Sequence, residues 1–516
     1  MGKTTATAFF LLLSPWATGC GTAPGINGAG GAPCDGLSCQ DEPPPESVCI
    51  EHVAAHTLDD GCGVFVAGAL GGGDDRNPGT KAKPVFTVHR AVELARAGRG
   101  RVFICNDGFE VKTHITLPSG VDLLGGYDCR RWVRDPEDTV STFVHTMDTD
   151  PLVIIEPSGS EDRAAADGVS ILADLDMRAR GPVAVLVQSN TEVEILRSQL
   201  RAGDGWAGRP GKPWSGLNQA AAGADGLYGG DACSATIVHG GPAVVNPCEG
   251  GIPSTGGKGG DGLSDGAGNG DDGQPITSSH PNEGRGGDGN GEATGIHCYN
   301  GGPGAPGALG TIGASGQGIG HITETGWVAD RAGDGGRGMP GQGGGGGGGR
   351  RGGLAVCGVA TKGGAGGGSG GAGGCGGRGG QGGENGYPTI GIVALHAKVT
   401  VRDSMITTLR AGPGGDGGLP EEGGDGGRGA PGGALGDGTW SCGGGSGGRG
   451  GDGGYGGPGR GGDSIGIAYL DEDQLTLEGV TYELGPPGKG GVSWDWSGVE
   501  IRGEDGIAVK TLRFPQ

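Results

Sequence analysis

Short apolar runs separated by polar turns are the first regular feature of the chain. Such runs, bounded by Gly, Pro, Asn and Asp, are typical of buried strands. Several lie about twenty residues apart with few helical patterns between them, which favours a coiled parallel stack whose turns bury their side chains against each other. The predicted strands are Val64 to Ala67, Val102 to Cys105, Val121 to Leu124, Leu152 to Ile155, Val169 to Leu175, Val183 to Val187 and Val193 to Leu196.

One segment has the period of a helix instead. Between Phe86 and Ala97, the apolar residues Val88, Ala91, Val92 and Ala95 recur at i, i+3, i+4 and i+7. This spacing places them on one stripe, so the sequence predicts a helix that is buried on one side.

A repeated pattern follows further along the chain. Residues 183–203, 390–412 and 465–485 share a strand, a polar turn, an alternating strand and a glycine exit. We expect three consecutive rungs of the stack. Glu192 and Lys398 fall at matching points of the first two repeats, as Gln474 does in the third, and this predicts a Glu192–Lys398 pair on adjoining rungs.

Glycine-rich sequence interrupts the stack after each repeat. The chain has 131 glycines among 516 residues, about a quarter where ordinary proteins carry roughly 7%. The interruptions are residues 204–388, residues 413–463 and the short "PPGKGG" after the third repeat. Because each follows the same point of the repeat, we expect the chain to leave the stack at one corner, so that the insertions emerge side by side.

The stretch "GGSGGRGGDGGYGGPGRGGD" has a period of three. Every third position holds Ser446, Arg449, Asp452, Tyr455 and Pro458 before Arg460 falls out of step, and "SGGAGGCGGRGGQGGE" at residues 369–384 keeps the same period. Three residues per turn is the period of a left-handed extended helix without internal hydrogen bonds. Two alternatives remain: packed polyglycine-II-like helices or disordered segments.

Composition and charge exclude one class of partner. Lys and Arg number 37 against 59 Asp and Glu, a formal charge of -22. An acidic chain repels phosphate backbones, so we expect no nucleic acid partner. Aromatic residues are 4% of the chain, which is too few for one core to organise its whole length.

The N-terminus predicts export. The stretch "MGKTTATAFFLLLSPWATGC" has one cation, a short apolar run and small residues before Cys20, a pattern typical of a signal peptide over residues 1–19. Its end resembles the lipobox of bacterial lipoproteins. This resemblance implies that Cys20 is lipidated and that the lipid anchors the chain at the outer membrane or cell surface. Simple cleavage is the alternative. Residues 20–48 are predicted to be a Gly- and Pro-rich tether.

The cysteines fit an oxidising compartment. Of 13 cysteines, twelve remain if Cys20 carries lipid, an even number suited to disulfides. Cys105 and Cys129 follow strands of successive rungs at a separation of 24 residues, which predicts a disulfide between them.

The stretches "GVFVAG", "NPGT", "PVFTVHRAVELA", "RVFIC" and "ITLPSGVDLLGGYDC" resemble the N-terminal entry of pectin-lyase-like parallel β-helices of bacterial surface proteins. The resemblance implies an all-β, right-handed parallel β-helix, divided between residues 49–203, 389–412 and 464–516, with the helix near Phe86 capping its open end. The glycine-rich segments also resemble PE-PGRS cell-surface proteins in composition.

No residue is assigned a catalytic role by the sequence, and no cofactor is expected beyond a possible Ca²⁺. Asp174 and Asp176 are placed by strand alternation on one face with Arg178, which favours a solvated face but leaves a metal site open. Asp261 lies in "GGKGGDGLS", a single match to a calcium-binding repeat.

Three functions therefore stay open. The first is a lipid-anchored surface protein with a structural or adhesive role toward polysaccharide or other envelope components. The second is a pectin-lyase-like enzyme, a lyase or hydrolase acting on acidic polysaccharide. The third is a calcium-dependent binding module.

Overall fold

Parallel strands in three open sheets make up most of the regular structure in the computed structural model. The structure describes residues 44–515 except 56, 135–138, 148–150, 160–167, 214–218, 277–278, 290–296 and 437. The predicted signal peptide, Cys20 and the tether up to residue 43 lie outside the described residues. The fold class predicted from sequence, all-β, is confirmed at this level.

Each sheet takes its strands from widely separated parts of the chain. The first sheet has the order β1 (Val64–Val66), β2 (Arg101–Cys105), β5 (Asp122–Tyr127), β8 (Ser170–Ala173), β11 (Glu192–Leu196), β18 (Lys398–Arg402), β21 (Leu475–Glu478). The second has the order β4 (Ile115–Pro118), β7 (Val153–Glu156), β10 (Val183–Val187), β17 (Thr389–Ala394), β20 (Ser464–Tyr469), β25 (Ala508–Arg513). The third has the order β3 (Gly108–Val111), β6 (Ser141–His145), β9 (Leu175–Arg178), β12 (Gln199–Arg201), β19 (Met405–Thr407), β22 (Thr481–Glu483).

The chain visits the sheets in rotation, and the three sequence repeats stack in the predicted register. Val183 of β10 is paired with Ile390 of β17, which in turn is paired with Ile465 of β20. Long insertions separate these strands, and this is tolerable because the entropy cost of closing a loop rises only with the logarithm of its length. Glu192 and Lys398 are register partners, and their side chains form the predicted ion pair at 2.6 Å.

Apolar side chains from all three sheets form one buried cluster. Phe103 of the first sheet, Leu117 of the second and Phe143 of the third are fully buried. Burial of a side chain of this size stabilises the fold by about 1.5–3 kcal/mol. The apolar runs of the sequence are therefore the strands of this core.

The predicted helix is present as α2 (Val88–Arg96), and it buries the four predicted residues Val88, Ala91, Val92 and Ala95. The side chain of Thr87 caps it by accepting a hydrogen bond from the N–H of Arg90 at 3.2 Å. The helix packs against β1, β2 and β4.

A second helix, α1 (Glu46–Ala54), begins inside the segment predicted to be a tether. Cys49 is its only buried residue, and a disulfide joins Cys49 to Cys62. Arg99 also holds the helix through an ion pair to Glu46 at 2.8 Å. The helix is held by a disulfide and an ion pair and buries no apolar stripe. Hydrophobic periodicity therefore could not reveal it.

The strand predicted from Val169 to Leu175 is broken into β8 and β9. Asp174 lies between them with a φ of 57°, in the left-handed region that turns the chain. Before this turn Leu172 is fully buried while Ile171 is only half-buried, so the alternation predicted for residues 171–178 is wrong in its first half. After the turn, Leu175 and Met177 are fully buried and Arg178 is exposed, as predicted. The same corner recurs on later rungs, at Arg197, Asp403 and Gly479, all with positive φ.

The remaining elements are short. They are α3 (Leu354–Cys357), the 3-10 turns Asp60–Cys62, Ala69–Gly71 and Glu472–Gln474, and the hairpins β13 (Val244–Asn246) with β14 (Ser254–Gly256), β15 (His321–Thr323) with β16 (Gly326–Val328), and β23 (Val492–Trp494) with β24 (Glu500–Arg502).

The glycine-rich excursions all leave after strands of the third sheet and return to strands of the second. Their exits follow β12, β19 and β22, and their returns are β17, β20 and β25. The expectation of one exit corner is thus confirmed. We call residues 202–388, 408–463 and 484–507 the glycine array, and the three sheets with α2 the spine.

Candidate functional site: a hydrogen-bonded glycine array

The Gly-Gly-X stretch at residues 444–462 donates hydrogen bonds to two neighbouring segments. The N–H of the first glycine in each triplet reaches the segment 412–430, as in Gly450 N–H to Gly424 O at 2.8 Å. The N–H of the second glycine reaches the segment 333–345, as in Gly451 N–H to Met339 O at 2.9 Å. The period of three in the sequence therefore determines to which neighbouring segment each N–H group donates.

The carbonyl groups of the same stretch accept from two further segments. The carbonyl of Asp452, an X residue, accepts from Gly310 N–H at 2.8 Å, and that of Gly451 accepts from Gly377 N–H at 2.9 Å. A helix without internal hydrogen bonds must find outside partners for its backbone, and here neighbouring glycine segments supply them.

Segment 363–387, which holds the second register of threes, lies inside the array. Its N–H groups donate mainly to segments 442–460, 206–235 and 257–263, and its carbonyl groups accept mainly from 332–350 and 412–433. Its X residues Ser369, Ala372 and Cys375 are buried. Of the two alternatives left by the sequence, ordered packing is the one present in the described residues.

Glycine is required here because the segments approach closely. A Cβ on Gly447 would lie 2.1 Å from Ala372 O, and one on Gly453 would lie 2.0 Å from Arg378 O. Contacts this short do not occur between a carbon and a carbonyl oxygen, so any larger residue would push the segments apart.

In the stretch 444–462, the X side chains of Arg449, Asp452 and Tyr455 lie at the array surface and contact other side chains there. Arg449 forms ion pairs with Asp452 at 3.0 Å and with Glu422 at 3.5 Å. Tyr455 packs on Trp496, with ring centroids 5.2 Å apart. The surface thus carries paired charged and aromatic side chains, and the interior beneath it consists of packed backbone.

Arg460 breaks the Gly-Gly-X pattern because its side chain is turned inward. It is buried and pairs with buried Asp463, Nη2 to Oδ1 at 2.8 Å. Asp463 also accepts a hydrogen bond from Ile507 N–H at 2.8 Å. This pair lies where the array returns to β20, so it fixes the junction between array and spine.

Disulfides link array segments that are distant in sequence. They join Cys233 to Cys357, Cys248 to Cys375, and Cys298 to Cys442. In the spine, Cys105 and Cys129 form a disulfide with their Cα atoms 4.8 Å apart. Every cysteine among the described residues is paired in this way.

A charged cavity of about 520 Å³ lies in the spine at the corner after the first sheet. Asp174 is buried there and holds two arginines, Arg134 and Arg197, the latter by two hydrogen bonds of 2.9 and 2.8 Å. This hydrogen bonding raises the pKa of Arg197. The carboxylate is thus enclosed by guanidinium groups, which compete with a metal ion for its oxygens.

Asp176 is also buried, and it pairs with Arg178 at 2.6 Å. The solvated face predicted for Asp174 and Asp176 is wrong, because both carboxylates are buried and paired with arginine side chains. Ion pairs and burial of this kind leave no sequence signal beyond the residue types themselves.

Asp261, the third candidate for Ca²⁺, lies in the array, whereas Asp174 and Asp176 lie in the spine. Its carboxylate accepts from Gly240 N–H at 2.9 Å and pairs with Lys258 at 3.0 Å and His239 at 3.3 Å. Burial raises the pKa of Asp261, but these hydrogen bonds outweigh burial and lower the pKa overall. Lys258 and His239 therefore occupy the oxygens of Asp261 that a cation would need.

Cys105, Asp107 and Cys129 bring three potential ligand atoms within 4.8 Å of one another. Zinc binding needs thiolates, whereas these two sulfurs are joined to each other. In the disulfide form the group is a crosslink of the spine.

Comparison with known proteins adds no assignment: no family model, curated protein or solved structure matches the chain. Among the described residues, no helix is both long and apolar enough to cross a membrane.

Proposed function

We propose that this protein is an exported, lipid-anchored surface protein in which a right-handed parallel β-helix carries an ordered polyglycine-II-like layer. The rotation of the chain through three parallel sheets supports the β-helix. The lipobox-like end at Cys20 supports the anchor, and the paired cysteines support an oxidising compartment.

The observation that carries the proposal is the array itself. Its interior is backbone packed on backbone, so its side chains are available mainly at its surface, as with Arg449, which is 43% exposed. A rigid, disulfide-linked layer of this kind suits a structural or adhesive role toward polysaccharide or other envelope components. The spine serves as its support.

The pectin-lyase-like alternative depends on the charged cavity at Asp174. A uronate-binding enzyme needs a carboxylate or base that can reach its substrate. Asp174 instead accepts hydrogen bonds from Arg134 and Arg197, which favours a structural role for this corner. The calcium-binding alternative depends on Asp261, whose oxygens are shared by Lys258 and His239.

The test uses two variants in the producing cell. Cys20→Ala should abolish acylation by mass spectrometry and release the protein from membranes washed with high salt. Replacing residues 208–384 by a short Gly-Ser loop should leave an exported, β-rich protein while adhesion of the cells to polysaccharide-coated surfaces falls to the level of cells lacking the protein. Unmodified Cys20 in the native protein, or unchanged adhesion with the shortened variant, would contradict the proposal.

A further inference from the structure

The two ends of the spine are covered differently. At the end that begins with β1 and β4, helix α2 packs against these strands. At the other end, β21, β22 and β25 are each the last strand of their sheet. One edge of each has no strand partner among the described residues, so its backbone N–H and C=O groups are open to pairing with another chain.

Apolar side chains on the last rung are incompletely covered. In the preceding rung, Val401 and Ile406 are fully buried. Their register partners on the last rung are Leu477, which is 37% exposed, and Tyr482, which is half-buried. Covering these side chains would stabilise a complex by about 25 cal/mol for each Å² of apolar surface removed from water.

The end of the stack has the shape of a step. Strands β20, β21 and β22 belong to one rung, and β25 adds one further strand to the second sheet alone. Since neighbouring strands lie about 4.8 Å apart, β25 stands about that distance above the end of the other two sheets. We call residues 508–515, which contain β25, the ridge, and residues 471–483, which contain β21 and β22, the ledge.

The ridge and the ledge have opposite charges. The ridge contains Lys510 and Arg513 and no acidic residue. The ledge contains five acidic residues and no Lys, Arg or His. The acidic residues are Asp471, Glu472, Asp473, Glu478 and Glu483.

Only part of the ledge's charge is balanced within the chain. Asp471 pairs with His396 at 2.7 Å, and Glu478 pairs with Arg402 at 2.9 Å. The other three acidic residues of the ledge form no ion pair with the described residues. Their carboxylates are therefore available to cations of another chain.

The two cations of the ridge also have no carboxylate partner among the described residues. The ammonium of Lys510 lies over the ring of Tyr482, 5.8 Å from its centroid. Arg513 Nε donates a hydrogen bond to the backbone oxygen of Leu470 at 3.2 Å. Both side chains can therefore pair with an acidic surface that approaches the end of the stack.

We propose that a second copy of this chain docks on this end, with the ridge of each copy lying on the ledge of the other. A twofold axis perpendicular to the stack brings the two ends together. It also reverses the direction of the partner's strands, so the edges meet as antiparallel strands. Each ridge then fills the partner's step and faces the opposite charge. This interface is independent of Cys20 and goes beyond the proposed function.

The experiment is sedimentation equilibrium of the exported chain carrying Cys20→Ala, so that no acyl chain contributes to association. The protein should sediment with about twice the mass of one chain, and its affinity for itself should fall as salt rises. Lys510→Glu combined with Arg513→Glu, the ridge variant, should raise the dissociation constant of the dimer about tenfold or more, because acidic groups then face acidic groups.

An exchange of charge between two variants tests the pairing itself. The ledge variant carries Glu472→Lys, Asp473→Lys and Glu483→Lys, and alone it should also dissociate, because basic groups then face basic groups. The ridge variant and the ledge variant, mixed in equal amounts, should associate about as tightly as the parent chain. Both contacts of the mixed dimer join opposite charges, which neither variant achieves alone.

The matched control is Lys112→Glu combined with Arg130→Glu. It makes the same change of net charge as the ridge variant, at two exposed residues of the early rungs. It should associate like the parent chain. The proposal is overturned if the parent chain sediments as a monomer, if the ridge variant and the control have the same affinity, or if the mixed variants stay monomeric.

Discussion

The spine and the glycine array bury backbone polar groups in two different ways. In the spine, strands pair edge to edge and their side chains fill the interior, with Phe103 and Phe143 fully buried. In the array, extended segments pair on several sides at once, and carbonyl oxygens occupy the space that side chains take in the spine, as at Gly447. A chain with few large apolar residues can thus still form a dense interior, provided that glycine lets backbones touch.

The two interiors should fail under different substitutions. Gly447→Val and Gly453→Val each place side-chain atoms where Ala372 O and Arg378 O now lie. Overpacking together with two or more lost hydrogen bonds should destabilise the array by about 5 kcal/mol. Amide exchange should accelerate in the array segments and remain slow in β10 and β17.

Gly266→Val is the control for these two variants, because a Cβ at Gly266 meets no atom within 4 Å. Its exchange pattern should match that of the unmodified protein. Equal effects of all three substitutions would show that the array interior is not packed as described.

The converse test removes a side chain from the spine. Phe143→Ala should cost about 4 kcal/mol through lost burial and the cavity left behind. Thermal unfolding followed by circular dichroism should show a lower melting temperature for the β signal. An unchanged melting temperature would contradict the role assigned to this core.

Crosslinks should matter more to the array than to the spine, because they close longer loops there. The Cys248–Cys375 bridge spans 127 residues, whereas Cys105–Cys129 spans 24. Replacing both cysteines of the longer bridge by Ser should cost about 2–4 kcal/mol, more than the same change at the shorter one. Denaturant unfolding of the two double variants gives the comparison, and a larger loss for the Cys105–Cys129 variant would reverse it.

A further expected effect is a pH dependence of stability that comes from a buried carboxyl group of the spine. Burial raises the pKa of Asp122 from its ordinary 3.8 to about 7. The folded state therefore holds a proton that the unfolded state loses between these values, so this contribution to stability is lost as pH rises from about 4 to 7. Asp122→Asn, whose amide oxygen can still accept from Ile171 N–H, should flatten that part of the stability–pH curve. If the variant's stability–pH curve had the same slope as that of the parent protein between about pH 4 and 7, the role assigned to Asp122 would be wrong.

Much of the spine could be predicted from sequence because its strands are apolar runs, and the repeats fixed their register. Helix α1 and the turn at Asp174 could not, since the first is held by a disulfide and an ion pair and the second by backbone conformation. In the array the period of three was readable. The order in which the array segments lie side by side could not be predicted. One Gly-Gly-X triplet is chemically equivalent to the next, and only the disulfides and turns distinguish the segments.

The direct test of the central claim is amide hydrogen exchange, residue by residue, across residues 443–463. Both glycines of each triplet donate to neighbouring segments, whereas no acceptor is present among the described residues for the N–H of Ser446, Arg449, Asp452 or Tyr455. The ordered array therefore predicts protection with a period of three, slow at the glycines and faster at the X residues. Exchange at random-coil rates throughout the stretch would contradict it.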